Sequence, residues 1–358
     1  MSLENLIVSE IRDNGPISIY RFMEACLYND QFGYYTSKKN MIGATGDFIT
    51  SPEISQVFGE LIGAWLAQTW IDRGKPKPFN LVELGPGTGT LMKDILRILV
   101  TIPKLLNSVS IFLVETSPEL QFRQATRLKN YSIQWIKSVV EIPENPTFVI
   151  ANEFLDALPI RQFKKIGNVW NERAVDASEN GKLNFTYLPS SYNNELQLFY
   201  SGVPNDVVIE SSDAAKNVIS ILSEKILRNN GAALFIDYGY FEGFGDTLQA
   251  VCNHKYSNPL TNLGKTDLTT QVNFKSVYDT AIRKGLRASS LNSQGDFLKG
   301  LGIQLRAESL AQKMTLAQKK LHFSAIDRLI KEDEMGGLFK VIGITTQNSA
   351  PLPILENL

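Results

Sequence analysis

The sequence predicts an α/β fold: a mostly parallel sheet with helices on both faces. Three observations predict it. From Phe79 onward, short apolar runs alternate with amphipathic stretches, the rhythm of successive β-α-β units. One of these runs passes through a glycine-rich turn directly into a helical pattern. The chain of 358 residues is 43% hydrophobic and 20% charged, which supplies a large core and excludes a disordered tail.

The elements follow in order. Residues 1–35 read as helical, because Ile7, Ile11, Phe22, Met23, Cys26 and Leu27 recur at helical spacing. Pro16 and Ser18 mark a break and a new cap. Residues 33–52 read as a loop, and a long apolar helix runs from Glu53 to the breaker G-K-P-K-P at 74–78. Strands are expected at 79–84, 110–115, 133–136 and 147–152, with helices at 88–101 and 118–129 between them. Residues 160–210 are polar and aromatic, alternate in places, and read as a hairpin-rich insertion. A helix at 214–228 and a strand at 232–237 resume the rhythm, and a second loop spans 239–271. Helices at 274–284, 294–312 and 316–332 precede a final strand at 338–346. The expected organisation is an N-terminal helical segment with an active-site loop, 1–75, and a second domain, 76–358, carrying insertions at about 160–210 and 239–273.

Composition excludes several classes of function. Thirty-six Lys and Arg balance 37 Asp and Glu, so no whole-chain electrostatic grip on nucleic acid is expected. Residues 281–331 are locally basic, with ten Lys or Arg against three Asp or Glu, which reads as solvated helix faces or a dock for an acidic partner. Two cysteines, Cys26 and Cys252, do not make a disulfide scaffold. With two histidines, His254 and His322, and no C-x-x-C or H-x-x-x-H pair, no metal site is expected. No G-x-S-x-G elbow is present either. No apolar run reaches the roughly 18 residues of a membrane span. The opening MSLENLIVSEIRDNG resembles neither a secretory signal nor a transit peptide, which makes the cytoplasm the expected compartment.

The most informative stretch is L-V-E-L-G-P-G-T-G-T, 81–90. Gly85, Gly87 and Gly89, with Pro86 and Thr88 between them, let the backbone turn sharply and let a ligand lie against it. The spacing is G-x-G-x-G, and Thr90 stands where a dinucleotide fingerprint continues toward its last glycine. Glu83 would repel a pyrophosphate and welcome a cationic amino-acid tail, so the ligand reads as S-adenosyl-L-methionine. Glu115, followed by Thr116, ends the second strand, where an acid accepts from both ribose hydroxyls. A packing turn without ligand and a nicotinamide site are the alternatives.

The acceptor side is expected at 147–159, where an apolar strand presents Asn152, Glu153 and Asp156 at its carboxyl end. Methyl transfer needs a nucleophile held in line and stripped of water. A guanidinium nitrogen is a poor nucleophile, and a carboxylate that binds two of its N–H groups localises charge away from the third nitrogen. Glu153 suits that role, with Asn152 and Asp156 beside it. A structural carboxylate at Glu153 and a turn cap at Asp156 are the plainer readings. Two loops complete the pocket. One brings Gly46, Asp47 as an exposed acid, Phe48, Ser51 as a helix cap, and Pro52. The other brings Asp267. Each is also what an ordinary turn looks like.

Together these residues resemble the MidA-like family of class I S-adenosylmethionine-dependent methyltransferases, which includes a mitochondrial complex I assembly enzyme that modifies protein arginine. The likeness covers most of the chain. It rests on G-D-F-I-T-S-P-E-I-S-Q-V-F-G-E (46–60), E-L-G-P-G-T-G-T-L-M (83–92), V-E-T-S-P-E-L (114–120) and A-N-E-F-L-D-A-L-P-I-R-Q-F (151–163). It continues in D-Y-G (237–239), Q-G-D-F-L-K-G-L-G-I (294–303) and M-G-G-L-F-K-V (335–341). The resemblance implies a Rossmann-like seven-stranded sheet with an inserted substrate-side subdomain. It also implies an S-adenosylmethionine cofactor and a protein arginine substrate such as a complex I subunit, and it leaves a homodimer open. Carried over, Glu83, Gly85, Gly87 and Glu115 hold the cofactor, residues 46–53 close the site, and 152–156 face the acceptor. One departure stands out: the family usually reads D-L-T-x-H-V-D-F where this chain has D-L-T-T-Q-V-N-F, so Gln271 and Asn273 replace a histidine and an aspartate. That segment is therefore expected to position rather than deprotonate. A methyltransferase for another acceptor and a non-catalytic assembly factor remain as alternatives.

Overall fold

The computed structural model describes residues 2–37, 43, 46–47, 49–167, 169–252 and 254–355. Seven strands form the path of the central sheet. They are β1 (Phe79–Leu84), β2 (Val109–Val114), β3 (Ile133–Ile136), β4 (Thr147–Asn152), β5 (Ala232–Tyr240), β6 (Leu286–Ala288) and β7 (Phe339–Thr346). Their spatial order is β3-β2-β1-β4-β5-β7-β6, with two further two-residue strands on the flanks, so the sheet counts nine. The first five are mutually parallel, and β7 runs antiparallel between β5 and β6.

Alternation along β1 sorts its side chains to two cores. Phe79 and Leu81 pack with Trp65 and Trp70 of helix Gln56–Asp72 and with Ile95 of helix Thr90–Leu99. Val82 and Leu84 pack on the other face with Ile219, Leu222 and Ile226 of helix Asp213–Asn229. All six residues of β1 are buried, as a parallel strand covered on both faces requires. The chain order reverses at β1, which opens a crevice at the carboxyl ends of β1 and β4.

Residues 161–211 build an antiparallel sheet joined by Ile17–Ser18. Helices Leu3–Asn14 and Ile19–Tyr28 pack against it through Ile7, Phe22, Val175 and Leu183. Four details differ from expectation. The long helix from Glu53 is instead Ser51–Ile54 and Gln56–Asp72, separated where Ser55 turns extended and accepts from the Val57 amide. The helix at 294–312 breaks at Gly302, whose φ of +84° starts a new helix at Ile303. The loop at 239–271 contains strands Gln249–Cys252, Lys255–Ser257 and Asp267–Thr269, and β6 lies where no strand was expected. These strands are three or four residues long and carry no sustained alternation to read. Among the described residues, no helix is long and apolar enough to cross a membrane.

Candidate active site

A cavity of about 770 Å³ occupies the crevice. The turn after β1 contributes Glu83 and Gly85 to Thr88. Residues after β2 contribute Glu115 and Thr116, and the end of β4 contributes Asn152, Glu153 and Asp156. Asp47, Pro52 and Asp267 line it from the two loops. Gly46, Ser51 and Gly89 stand behind this lining, and Phe48 lies outside the described residues.

The glycine turn has the geometry its sequence demands. Gly85, Gly87 and Gly89 have φ of +60°, +51° and +79°, a region that suits glycine. A Cβ at Gly85 would lie 2.9 Å from Phe154 Cδ2, so a side chain is excluded on space as well. Gly89 caps helix Thr90–Leu99. Gln124, fully buried, braces the turn from behind. Its Nε2 donates to Gly87 O at 2.8 Å and to Glu115 Oε2 at 3.1 Å, and its Oε1 accepts from Trp135 Nε1 at 2.8 Å. Glu115 Oε1 accepts from the Ser117 amide at 2.8 Å.

Among the acids of the crevice, Glu83, Glu115 and Asp156 are buried and Glu153 is half-buried. Burial pushes Glu83 up to about 8, and the Glu115 carboxyl adds to the rise. Burial also raises Glu115, against the Ser117 amide and Gln124. Glu153 is pushed up to about 7, chiefly by burial, with the Ser51 amide opposing and Asp156 adding. Asp156 is pushed up to about 6 by burial, with the Tyr238 hydroxyl opposing. Glu83 Oε2, Asn152 Oδ1 and Asp156 Oδ1 are buried without a hydrogen-bond partner among the described residues. Such groups call for a donor or a cation. Glu153 Oε1 accepts from the Ser51 amide at 2.8 Å and from Asn152 Nδ2 at 3.0 Å, and Oε2 accepts from neither.

Two expectations need correction. Asp47 is 2% exposed rather than open, because the Tyr34 hydroxyl donates to its Oδ2 at 2.6 Å and the His254 amide to its carbonyl at 3.0 Å. Ser51 is not the helix cap: Thr50 holds that position, and the Ser51 hydroxyl points to Gln294 Oε1 at 3.3 Å. Asp267 is buried and accepts from the Tyr35 hydroxyl at 2.9 Å. At the departing positions, Asn273 caps helix Phe274–Arg283 by accepting from the Ser276 amide, and Gln271 lines the cavity.

Sequence reasoning missed Gln124, Asp237 and the tyrosines Tyr28, Tyr35 and Tyr238. Asp237 accepts the amides of Phe154, Leu155 and Asp156 on Oδ2 at 3.1, 2.9 and 3.2 Å. A charged residue closing the apolar run A-A-L-F-I-D was a readable signal for it. Tyr28 and Tyr35 stack on each other from neighbouring helices, and Tyr238 joins the lining from the distant strand β5.

Comparisons with known proteins agree with this geometry. The model of the family described as "Putative S-adenosyl-L-methionine-dependent methyltransferase" matches residues 61–291. Protein arginine methyltransferase NDUFAF7, mitochondrial, from Xenopus tropicalis is 35% identical, over 97% of this chain and 86% of its own. The Homo sapiens protein of the same name is 34% identical, over 94% and 82%. A crystal structure from Burkholderia thailandensis bound to S-adenosyl-homocysteine superposes with a TM-score of 0.85 at 27% identity, covering 98% of this chain and 94% of that one. The NDUFAF7 relatives are named mitochondrial, which overturns the cytoplasmic expectation. The cradle fits the methyl donor: it joins an orphaned buried carboxyl oxygen at Glu83 to a turn that admits no side chain at Gly85. The chain belongs to this family of S-adenosyl-L-methionine-dependent methyltransferases, and S-adenosyl-L-methionine is its cofactor.

Proposed function

We propose that this methyltransferase modifies a guanidinium nitrogen of a protein arginine. The observation that carries the reading is Glu153, a half-buried carboxyl at the end of β4 with one oxygen fixed by Ser51 and Asn152. The arginine-directed names of the relatives support it. Glu83, Gly85, Pro86, Gly87, Thr88 and Gly89 would hold the cofactor from β1, and Glu115 and Thr116 from β2. Asn152 and the 46–52 segment would hold it from the acceptor side. Bound there, the cofactor supplies a methyl carbon already activated by its sulfonium. Glu153 holds the guanidinium, and its raised pKa brings it near neutrality, so an arriving cation draws it into the charged form. Asp156, Asp267 and Asp47 keep the acceptor side acidic. The tyrosines Tyr28 and Tyr35 wall it from water. The guanidinium nitrogen would gain the methyl in exchange for one proton, with the demethylated donor as the by-product. A subunit of respiratory complex I is the substrate that the resemblance supplies.

The test is transfer of labelled methyl to candidate proteins, with Glu153→Gln alongside. Label recovered in arginine, lost in the variant while cofactor affinity persists, supports the reading. Label in another residue, or equal turnover in the variant, overturns it.

A further inference from the structure

Helix Ser51–Ile54 makes hydrogen bonds to both sides of the crevice. At its start, the Ser51 amide donates to Glu153 Oε1 at 2.8 Å. Two residues on, Glu53 Oε1 accepts from Thr90 Oγ1 at 2.6 Å, from Thr88 Oγ1, and from Arg127 Nη1 at 3.3 Å. Arg127 also donates to Thr88 Oγ1 at 2.8 Å. Thr88 is in the glycine turn and Thr90 opens the helix after it. Arg127 ends the helix whose Gln124 braces Gly87 and Glu115. One carboxylate oxygen therefore gathers both elements that shape the cofactor side.

The helix cannot hold this position by itself. It has four residues, Thr50 makes no side-chain cap bond, and Ser55 ends it in an extended conformation. An isolated turn of that length is unstable in water, so its place depends on its contacts. The Glu53 and Arg127 side chains are 22% and 34% exposed. A pair at such a rim adds little to global stability. It ties the helix to residues on the cofactor side of the crevice.

We propose that Glu53 is a positioning residue for methyl transfer. It pins helix Ser51–Ile54 to the glycine turn, so that the Ser51 amide reaches Glu153 and the acceptor carboxyl is oriented when the cofactor side is formed. The inference rests on the reading of this crevice as the transfer site. It adds a residue that acts on Glu153 from the opposite wall.

The experiment compares Glu53→Ala and Glu53→Gln with the unaltered protein. Calorimetry with S-adenosylhomocysteine reads the cofactor side, and single-turnover transfer at saturating cofactor reads the acceptor side. Carbon-13 NMR of the Glu153 carboxyl reads the link between them, independent of any acceptor. Asp156 and Asp237 also face Glu153 and are the same in every variant. Glu53→Ala should weaken S-adenosylhomocysteine binding by about tenfold or more, the scale of a lost charge-assisted hydrogen bond. It should also slow transfer at saturation and move the Glu153 titration upward, with little change in melting temperature. Glu53→Gln, which keeps an oxygen for the threonines, should recover part of each effect. An unmoved Glu153 titration, or losses that merely follow a collapse in melting temperature, overturns the proposal. If the unaltered protein binds S-adenosylhomocysteine but labels no arginine, the arginine reading fails. The binding and NMR results still decide the role of Glu53.

Discussion

Glu83 gives the most quantitative prediction. It is 3% exposed at the end of β1, and burial pushes its pKa up to about 8. In the free protein at neutral pH the carboxyl is mostly protonated, whereas a cationic ligand tail binds its ionised form. The ionised fraction is roughly 1% at pH 6, about 10% at pH 7 and about half at pH 8. Affinity follows that fraction, so the Kd for S-adenosylhomocysteine tightens nearly tenfold from pH 6 to pH 7, about fivefold from pH 7 to pH 8, and at most about twofold beyond. Glu83→Gln keeps the shape and has no proton to lose. Its curve should be much flatter, and weaker at pH 9 by about 1.5–3 kcal/mol, the worth of a hydrogen bond to a charged group. The unaltered protein has lost roughly 2.7 kcal/mol by pH 6, at about 1.4 kcal/mol per unit, so the two curves should converge near that pH. Glu115, Glu153 and Asp156 titrate in the same crevice, and the comparison between variants isolates Glu83. The free fold has its own sign. The folded state holds a proton that the unfolded chain gives up above about pH 4.5. Stability from that proton is therefore present at low pH and lost as pH rises through about 8, by up to the order of 5 kcal/mol. Calorimetry from pH 6 to pH 9 decides the matter. Parallel curves for the two proteins would falsify the assignment of Glu83 to the cationic tail.

Other substitutions test the frame around the site. Glu115→Ala removes the acceptor for the Ser117 amide and Gln124. It should weaken S-adenosylhomocysteine binding by about ten- to a hundredfold, and calorimetry showing unchanged affinity would refute its role. Gly59→Ala would place a Cβ 2.6 Å from Asp94 Cβ, where helices Gln56–Asp72 and Thr90–Leu99 cross. Overpacking there should cost about 1–3 kcal/mol, read as a lower urea midpoint, and an unchanged midpoint would show that the helices can part freely.

The sheet was legible because its evidence is local. Each parallel strand is a compact apolar run, and the glycine turn states its own backbone conformation in three residues. That Glu83, Glu115 and Glu153 converge on one crevice could be read from their places at strand ends, since the topology brings those ends together. Asp47 was misread because its burial comes from Tyr34 and from a hairpin more than 200 residues away in sequence. Ser51 was misread because Pro52 and Glu53 suggest a helix start without revealing that the helix stops again at Ser55. The tyrosine wall was invisible for the same reason: Tyr28, Tyr35 and Tyr238 meet only after three separate segments have packed.

That dependence on distant contacts extends to Glu153, the proposed acceptor acid. Glu153 has φ of +53°, a conformation that costs a residue with a side chain of order 1–3 kcal/mol. The turn that follows it cannot offset this internally, because the amides of Phe154, Leu155 and Asp156 all point to Asp237 on β5. The Glu153 amide is likewise fixed by the Ile236 carbonyl at 2.9 Å. Burial and the carboxyls of Asp156 and Glu153 push Asp237 toward its neutral form, while the turn amides favour its charged form. The neighbouring strand thus does two things at once. It sets the backbone that presents Glu153 to the cavity, and it adds to the crowding of acids that a cationic substrate would relieve.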